Sequence, residues 1–436
     1  MSKKSRLIVL CGAVLCSQYL CAQSRTMGIE EMFRLADENS KSIQAFRTGK
    51  EVADENLKAA KAQRLPDISA SLSGSYWGNG KLWDRDFSNA TKIEMPHWGN
   101  NFALEAQLAV YAGGAISSGI ELAELEKQLA EMDWQKNRQD IRFLLVGHYL
   151  NLYKLNNQIE VLHKNLELTD QIIANMQARL KQGTALQNDI TRYDLQRETL
   201  RLQLAKVEDA CKIANHQLVT TLHLPEGTVV QPDTTLNDSQ IQTLSEASWQ
   251  ELAAQNNLNL QQAETGIKIN RQREKLERSE RLPKISLMAS EHLDGPITIE
   301  VPVLDNNFNY WFVGVGVKYN ISSLFKNNRK PKAARLNVRK AQETYELAQE
   351  QTNHAVQESY VNFLTSFTDL RTQQKSVELA DENYSVTSNR YQNDLALLTD
   401  MLDASNMKLS ADMGLVNARI NVIFNYYKMK YITHTL

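Results

Sequence analysis

Apolar positions recur along the chain with two spacings. From Ile141 they step by alternating four and three through Leu145, His148, Leu152, Leu155, Ile159, Leu162, Leu166, Thr169, Ile173, Met176 and Leu180. That is the 3.5-residue period of a coiled-coil seam. The pattern resumes through Leu186, Ile190, Tyr193, Arg197, Leu200, Leu204, Val207, Cys211, Ala214 and Leu218. A helical hairpin is therefore expected, and an outgoing arm from Gly114 to Lys181 would be about 68 residues and ~100 Å long. Such a helix is too long for a globular domain.

The second spacing is two. Ile68, Ala70, Leu72 and Tyr76 alternate with Asp67, Ser69, Ser71, Ser73 and Ser75, and Phe102, Leu104, Ala106, Leu108 and Val110 alternate with Glu105 and Gln107. Ile285, Leu287 and Ala289 alternate in the same way, as do Trp311, Val313, Val315, Val317 and Tyr319 against Gly314, Gly316 and Lys318. Four strands are expected, each with one apolar face. Polar, aromatic-bearing loops over 77–101 and 292–309 separate the members of each pair.

Both patterns occur twice because the chain is a duplication. Arg64-Leu65-Pro66-Asp67-Ile68-Ser69 returns as Arg281-Leu282-Pro283-Lys284-Ile285-Ser286, and Arg179 and Asp189 return as Arg390 and Asp400. The second copy of the seam runs through Val356, Phe363, Leu370, Val377, Tyr384 and Tyr391, then Leu397, Met401, Ala404, Ala411, Leu415, Ala418 and Val422. The expected organisation is a first repeat over 23–222 with its β-hairpin at 66–111, a linker over 223–244, and a second repeat over 245–436 with its β-hairpin at 283–320.

Composition sharpens this picture. Only 8 prolines occur in 436 residues, and none falls between Pro96 and Pro225 or after Pro331, which suits long helices. The first 22 residues carry Lys3, Lys4 and Arg6, then an apolar run, then Leu20-Cys21-Ala22; they are read as an export signal. Its removal leaves Cys211 as the one remaining cysteine, so no internal disulfide can form. A formal net charge of −2, with no basic stripe expected along the chain, argues against a nucleic-acid partner. No run of 18 apolar residues exists for a spanning helix, whereas spanning strands need only alternate.

Candidate chemistry is sparse. The 8 histidines make no close ligand pair, no Gly-rich phosphate loop or G-x-S-x-G elbow is present, and Cys211 and His148 fall on the helical seam. No enzyme activity, metal or cofactor is expected. Aromatics gather at the strand ends (Tyr76, Trp77, Trp98, Phe102, Tyr111, Tyr310, Trp311, Tyr319), as in the girdles of outer-membrane barrels. Four strands cannot close a spanning barrel, so spanning requires several chains to share one. The other reading is an exported structural or adhesive trimeric coiled coil with a soluble β head.

The duplication, the order of helix, strand, loop, strand and helical hairpin, and two local stretches resemble the TolC family of outer-membrane efflux and secretion channels. Leu108-Ala109-Val110-Tyr111-Ala112-Gly113-Gly114 is similar to the family's segment before its long helix. Arg390-Tyr391 through Thr399-Asp400-Met401-Leu402-Asp403-Ala404 is similar to its R-Y-x-x-G-x-x-x-x-x-D-x-L-x-A signature, and Arg179 to Asp189-Ile190 is a weaker version. The resemblance implies an α+β membrane protein. In it, long coiled-coil hairpins form a periplasmic tunnel, and four transmembrane strands per chain join a trimeric twelve-stranded barrel in the outer membrane. It implies an exit duct served by a periplasmic adaptor and an inner-membrane transporter. By motif position it puts Asp400, Asp403, Asp189 and Tyr391 at a constriction, with Tyr391 facing Asp189. The family's basic partner in the second turn falls on neutral Ala396. The resemblance also puts adaptor docking at the hairpin tips, Gly183, Thr184 and Leu186 in the first and Asp394, Leu395 and Leu397 in the second, with Leu186 and Leu397 partly in the seam.

Overall fold

Four long helices carry the seams. In a computed structural model that describes residues 24–184, 186–233, 241, 243–300, 303–325, 329–393 and 395–436, the chain begins with β1 (Ser24–Met27), α1 (Ile29–Asn39) and α2 (Lys41–Ala62). The strands β2 (Asp67–Tyr76), β3 (Gly80–Leu82), β4 (Thr91–Ile93) and β5 (Trp98–Tyr111) follow, then the hairpin of α3 (Ala115–Lys181, 67 residues) and α4 (Gln187–Leu222). After β6 (Val229–Pro232) the order repeats as α5 (Glu246–Asn256), α6 (Leu258–Ser279), β7 (Lys284–Gly295), β8 (Phe308–Lys318), α7 (Arg329–Gln392, 64 residues) and α8 (Leu398–Ile432). The expected signal over 1–22, and Ala185 and Asp394 at the tips, lie outside the described residues.

Contacts divide the chain into two units that each draw on both repeats. One holds residues through Thr48, Asp133–Leu260 and Ala348–Leu436. Its main core joins Met32, Phe33 and Ala36 of α1 to Leu145, Tyr149 and Leu152 of α3, Leu218 of α4, Val230 of β6 and Ile423 of α8. Seam positions Leu145, Leu152, Leu155, Leu162, Thr169, Ile173 and Met176 are buried as expected. Asn165 is buried where Leu166 was expected; its amide donates to Val161 O and its carbonyl accepts from Thr169 Oγ1, so the seam tolerates both polar groups. Asp37 clamps α1 to α3 through Arg138 and Arg142, each at 2.6 Å. Partial burial opposes its charge, but the two guanidiniums outweigh burial and hold its carboxyl below the usual range.

The other unit, Gly49–Met132 and Gln261–Leu347, contains an antiparallel sheet in the order β2-β5-β7-β8. The central β5–β7 pairing joins the two repeats, and β2 and β8 are the edges. Two strands are longer than alternation suggested: β5 starts at Trp98 and β7 continues to Gly295. Apart from Trp98 and Leu293 the added residues are polar or small, yet they keep the ladder, as in Asn100 opposite Gly295 and Asn101 opposite Asp294. At the base, consecutive positive-φ glycines turn β5 into α3. A Cβ on Gly113 would stand 2.8 Å from both Leu282 Cβ and Ser279 O, so this turn requires glycine.

Candidate functional site: the apolar sheet face and the hairpin tips

The sheet register decides which side chains share a face. Ala70, Leu104, Glu291 and Trp311 stand in one row, and Leu72, Phe102, Leu293 and Asn309 in the next. The opposite face carries Ser69, Glu105, Ser290 and Phe312 in one row and Ser71, Ala103, His292 and Tyr310 in another. Apart from Glu291 and Asn309, the first of these faces is apolar and lies bare: Leu72 is 79% exposed, Trp311 73% and Val313 70%. A contiguous apolar surface of this kind marks a contact with lipid or another chain. Two of the expected girdle aromatics belong elsewhere: Trp77 donates its indole N–H to Ser75 Oγ on the polar face, and Tyr310 joins that face too. Tyr310 adjoins Trp311 in sequence and so points to the polar face, where its ring stacks on His292 at 5.0 Å and its hydroxyl donates to Asp294 at 3.3 Å.

At the other candidate site, the two hairpin tips close with equivalent bonds. Thr184 N–H donates to Arg179 O at 3.0 Å, and Leu395 N–H donates to Arg390 O at 2.8 Å. Each bond runs five residues back, the Schellman closure of a helix end. In the first tip Gly183 supplies the left-handed residue at φ 77°. In the second, Arg390 also donates its guanidinium to Leu395 O at 3.2 Å. The sequence repeat had paired these arginines without disclosing that they shape the tips.

Beneath the tips lies a core drawn from all four long helices: Ile173 and Met176, Ile190 and Tyr193, Leu398 and Met401, with Tyr384 and Tyr391 packed against it. Arg179 lies over the Tyr391 ring at 5.6 Å and donates to Tyr391 O at 3.4 Å. Asp400 accepts a hydrogen bond from Leu397 N–H at 3.0 Å, which satisfies a donor at the start of α8, and its neighbour Asp403 is exposed. Asp189 occupies the first turn of α4, half-buried. The seam assignment of two leucines is corrected: Leu186 and Leu397 are each 69% exposed, whereas Leu398 is 8% exposed. Each exposed leucine is the last non-helical residue before its helix, so its side chain falls outside the packed stripe. Leu395 is likewise exposed. Tyr193 is buried with its hydroxyl unpartnered among the described residues, and burial holds its phenol well above the usual range, hence neutral.

Among the described residues no helix is long and apolar enough to cross a membrane, and no three metal-ligating side chains converge. Bare alternating strands and helices of this length define a class, the outer-membrane channels with a helical extension. The family model described as Outer membrane efflux protein matches residues 33–222 and 249–424, and the chain belongs to this family. Its place is therefore the outer membrane, with the helical part in the periplasm; the adhesive reading falls away. A curated relative, the outer membrane efflux protein BepC of Brucella suis biovar 1 (strain 1330), is 20% identical over 192 residues. That match spans 44% of this chain and 39% of BepC. Solved structures share the fold. The outer membrane protein VceC of Vibrio cholerae superposes with a TM-score of 0.78 at 15% identity, covering 93% of this chain and 95% of that one. The outer-membrane channel OprN gives 0.80 at 14% identity, covering 94% and 90%. The CmeC outer membrane channel of Campylobacter jejuni gives 0.78 at 16% identity, covering 93% and 85%.

Proposed function

We propose that three copies of this chain form the exit duct of an efflux or secretion assembly, each giving four strands to one twelve-stranded barrel and its helical hairpins to a periplasmic tunnel. The sheet carries this reading: it has two free edges and one bare apolar face, and lipid tolerates such a sheet only when closed. The aromatic line supports it too. Tyr76 pairs with Trp98, whereas Trp311 is level with Leu104, six residues along β5 from Trp98. A line through these rings crosses the ladder obliquely, as a girdle on tilted strands does. Substrates would enter from an inner-membrane transporter through a periplasmic adaptor docked on the tips, where Gly183, Thr184, Leu186, Leu395 and Leu397 form the exposed turn surface, joined by the sequence-assigned Asp394. The carboxylates Asp400, Asp403 and Asp189, with Tyr391 behind them, would line the constriction.

Single cysteines in a Cys211→Ala background test the barrel. A membrane-impermeant thiol reagent should label Ser71→Cys and Gln107→Cys through the lumen and spare Leu72→Cys and Leu104→Cys in intact membranes. Equal labelling of both faces would overturn the reading. At the tip, Gly183→Val should leave trimers intact, because an added Cβ meets nothing within 4 Å, while its φ of +77° reshapes the turn. Adaptor crosslinking should then fall; unchanged crosslinking would remove tip docking.

A further inference from the structure

We propose that the start of α7 grips anionic phospholipid headgroups of the leaflet facing the periplasm; this rests on the reading that the strands span the outer membrane. Near-zero net charge conceals a local excess, a basic stretch where none was expected. Arg329, Lys330, Lys332, Arg335, Arg339 and Lys340 are all exposed, and no acidic residue interrupts them before Glu343. Arg335 reaches Glu274 of α6 at 3.5 Å and Arg339 pairs with Glu343 at 2.9 Å. Arg329, Lys330, Lys332 and Lys340 have no acidic partner among the described residues.

The scaffold does not require these cations. The duplicate helix α3 begins Ala115-Ile116-Ser117-Ser118-Gly119-Ile120, meets Glu121, Glu124 and Glu126, and reaches its first cation at Lys127. Cations in a helix's first turn also oppose its dipole, so local helix chemistry disfavours them. Their place in the fold supplies a reason. β8, whose Val313, Val315 and Val317 lie on the bare face, ends at Lys318, and α7 starts at Arg329. Between them Tyr319, Ile321 and Phe325 are exposed, at 42%, 65% and 67%. Apolar side chains continuing a membrane-facing surface and then giving way to unpaired cations match the boundary between acyl chains and an anionic headgroup layer.

The test uses full-length trimers in nanodiscs of phosphatidylcholine with or without phosphatidylglycerol, with retained lipids counted by native mass spectrometry after detergent release. Wild type should keep phosphatidylglycerol preferentially, and glycerol phosphate should not displace it. A juxtamembrane cation is worth about a fivefold change in retention, so Lys330→Gln should show about fivefold loss and the triple change at Arg329, Lys330 and Lys332 to Gln about a hundredfold at about 0.15 M salt. Arg339 lies about 15 Å farther along the helix than Arg329, beyond the ~8 Å Debye length, so Arg339→Gln with Lys340→Gln should change little. Equal retention of both lipids by wild type, or equal loss in the proximal and distal variants, would overturn the proposal. Either result leaves the barrel reading intact if thiol labelling still distinguishes the two sheet faces. An acidic protein segment as the true occupant would show itself as unchanged lipid retention in the triple variant, which also overturns it.

Discussion

Removing one phenolic oxygen should have opposite effects at two buried tyrosines. The Tyr149 hydroxyl donates to Met27 O at 2.8 Å and accepts from Asp233 N–H at 2.9 Å, with the side chain fully buried. It thereby fastens β1 and the end of β6 to α3. Asp233 N–H keeps a bond of 3.2 Å to Met27 O, so Tyr149→Phe loses both hydroxyl bonds but does not orphan that donor. The expected cost is about 1–2 kcal/mol. Tyr193 is 1% exposed, and its hydroxyl has no partner among the described residues. An unsatisfied buried hydroxyl costs about 1–3 kcal/mol, so Tyr193→Phe should gain about 1 kcal/mol once modest repacking is allowed for. Hydrogen exchange in detergent-solubilised trimers resolves the two places separately. Tyr149→Phe should speed exchange in β1 and β6, and Tyr193→Phe should slow it in the adjoining turns of α3, α4 and α8. Faster exchange at both sites would refute the hydrogen-bond accounting.

Three further outcomes are expected. Gly113→Ala should cost more than about 2 kcal/mol, because a positive φ and a 2.8 Å approach to Leu282 act together, and heat-resistant trimers on gels should become scarce. Burial raises the Asp412 pKa above its model-compound value of 3.8, so the folded state is penalised at neutral pH and the penalty vanishes below the unfolded-state value. Asp412→Asn should accordingly raise the melting temperature at pH 7, with the gain shrinking as pH falls through the raised folded-state pKa and gone below 3.8. Asp400→Asn with Asp403→Asn keeps an acceptor for Leu397 N–H while removing two charges per chain; single-channel recordings should show reduced cation selectivity with trimers unchanged, and unaltered selectivity would move the constriction elsewhere.

Period was legible wherever burial was one-sided. The start of α3 at Ala115 and its end at Lys181 follow from the Gly113-Gly114 turn and the seam, and the four strands follow from alternation. What escaped lacked an apolar signature. Trp98 to Asn101 and Glu291 to Gly295 hold strand geometry through ladder partners, and Asn, Asp and Gly at such positions read as loop until those partners are known. The parallel pair β1 and β6, four residues each, is too short for any period. At the tips the heptad count ran one residue too far: Leu397 continues the spacing but precedes the helix, so Leu398 enters the core. Arg179 and Arg390 stood out as a repeat match, yet their carbonyls, invisible to side-chain reasoning, are what close the turns. The basic start of α7 was lost because a whole-chain charge sum averages it with acidic segments.

The pairing of β1 with β6 also sets an order in time. Ser24 stands beside Val229, so this short ladder closes a loop of about 200 residues with only four residues on each side to reward the closure. A growing chain presents β1 first and must then produce both arms of the first helical hairpin before β6 exists. Throughout that interval Met27, which ends buried against Tyr149, has no finished surface to enter. β1 and β6 therefore join last in the first repeat, after the hairpin has assembled through its local contacts. Until then the leading end of the chain stays unfastened and available to whatever escorts it.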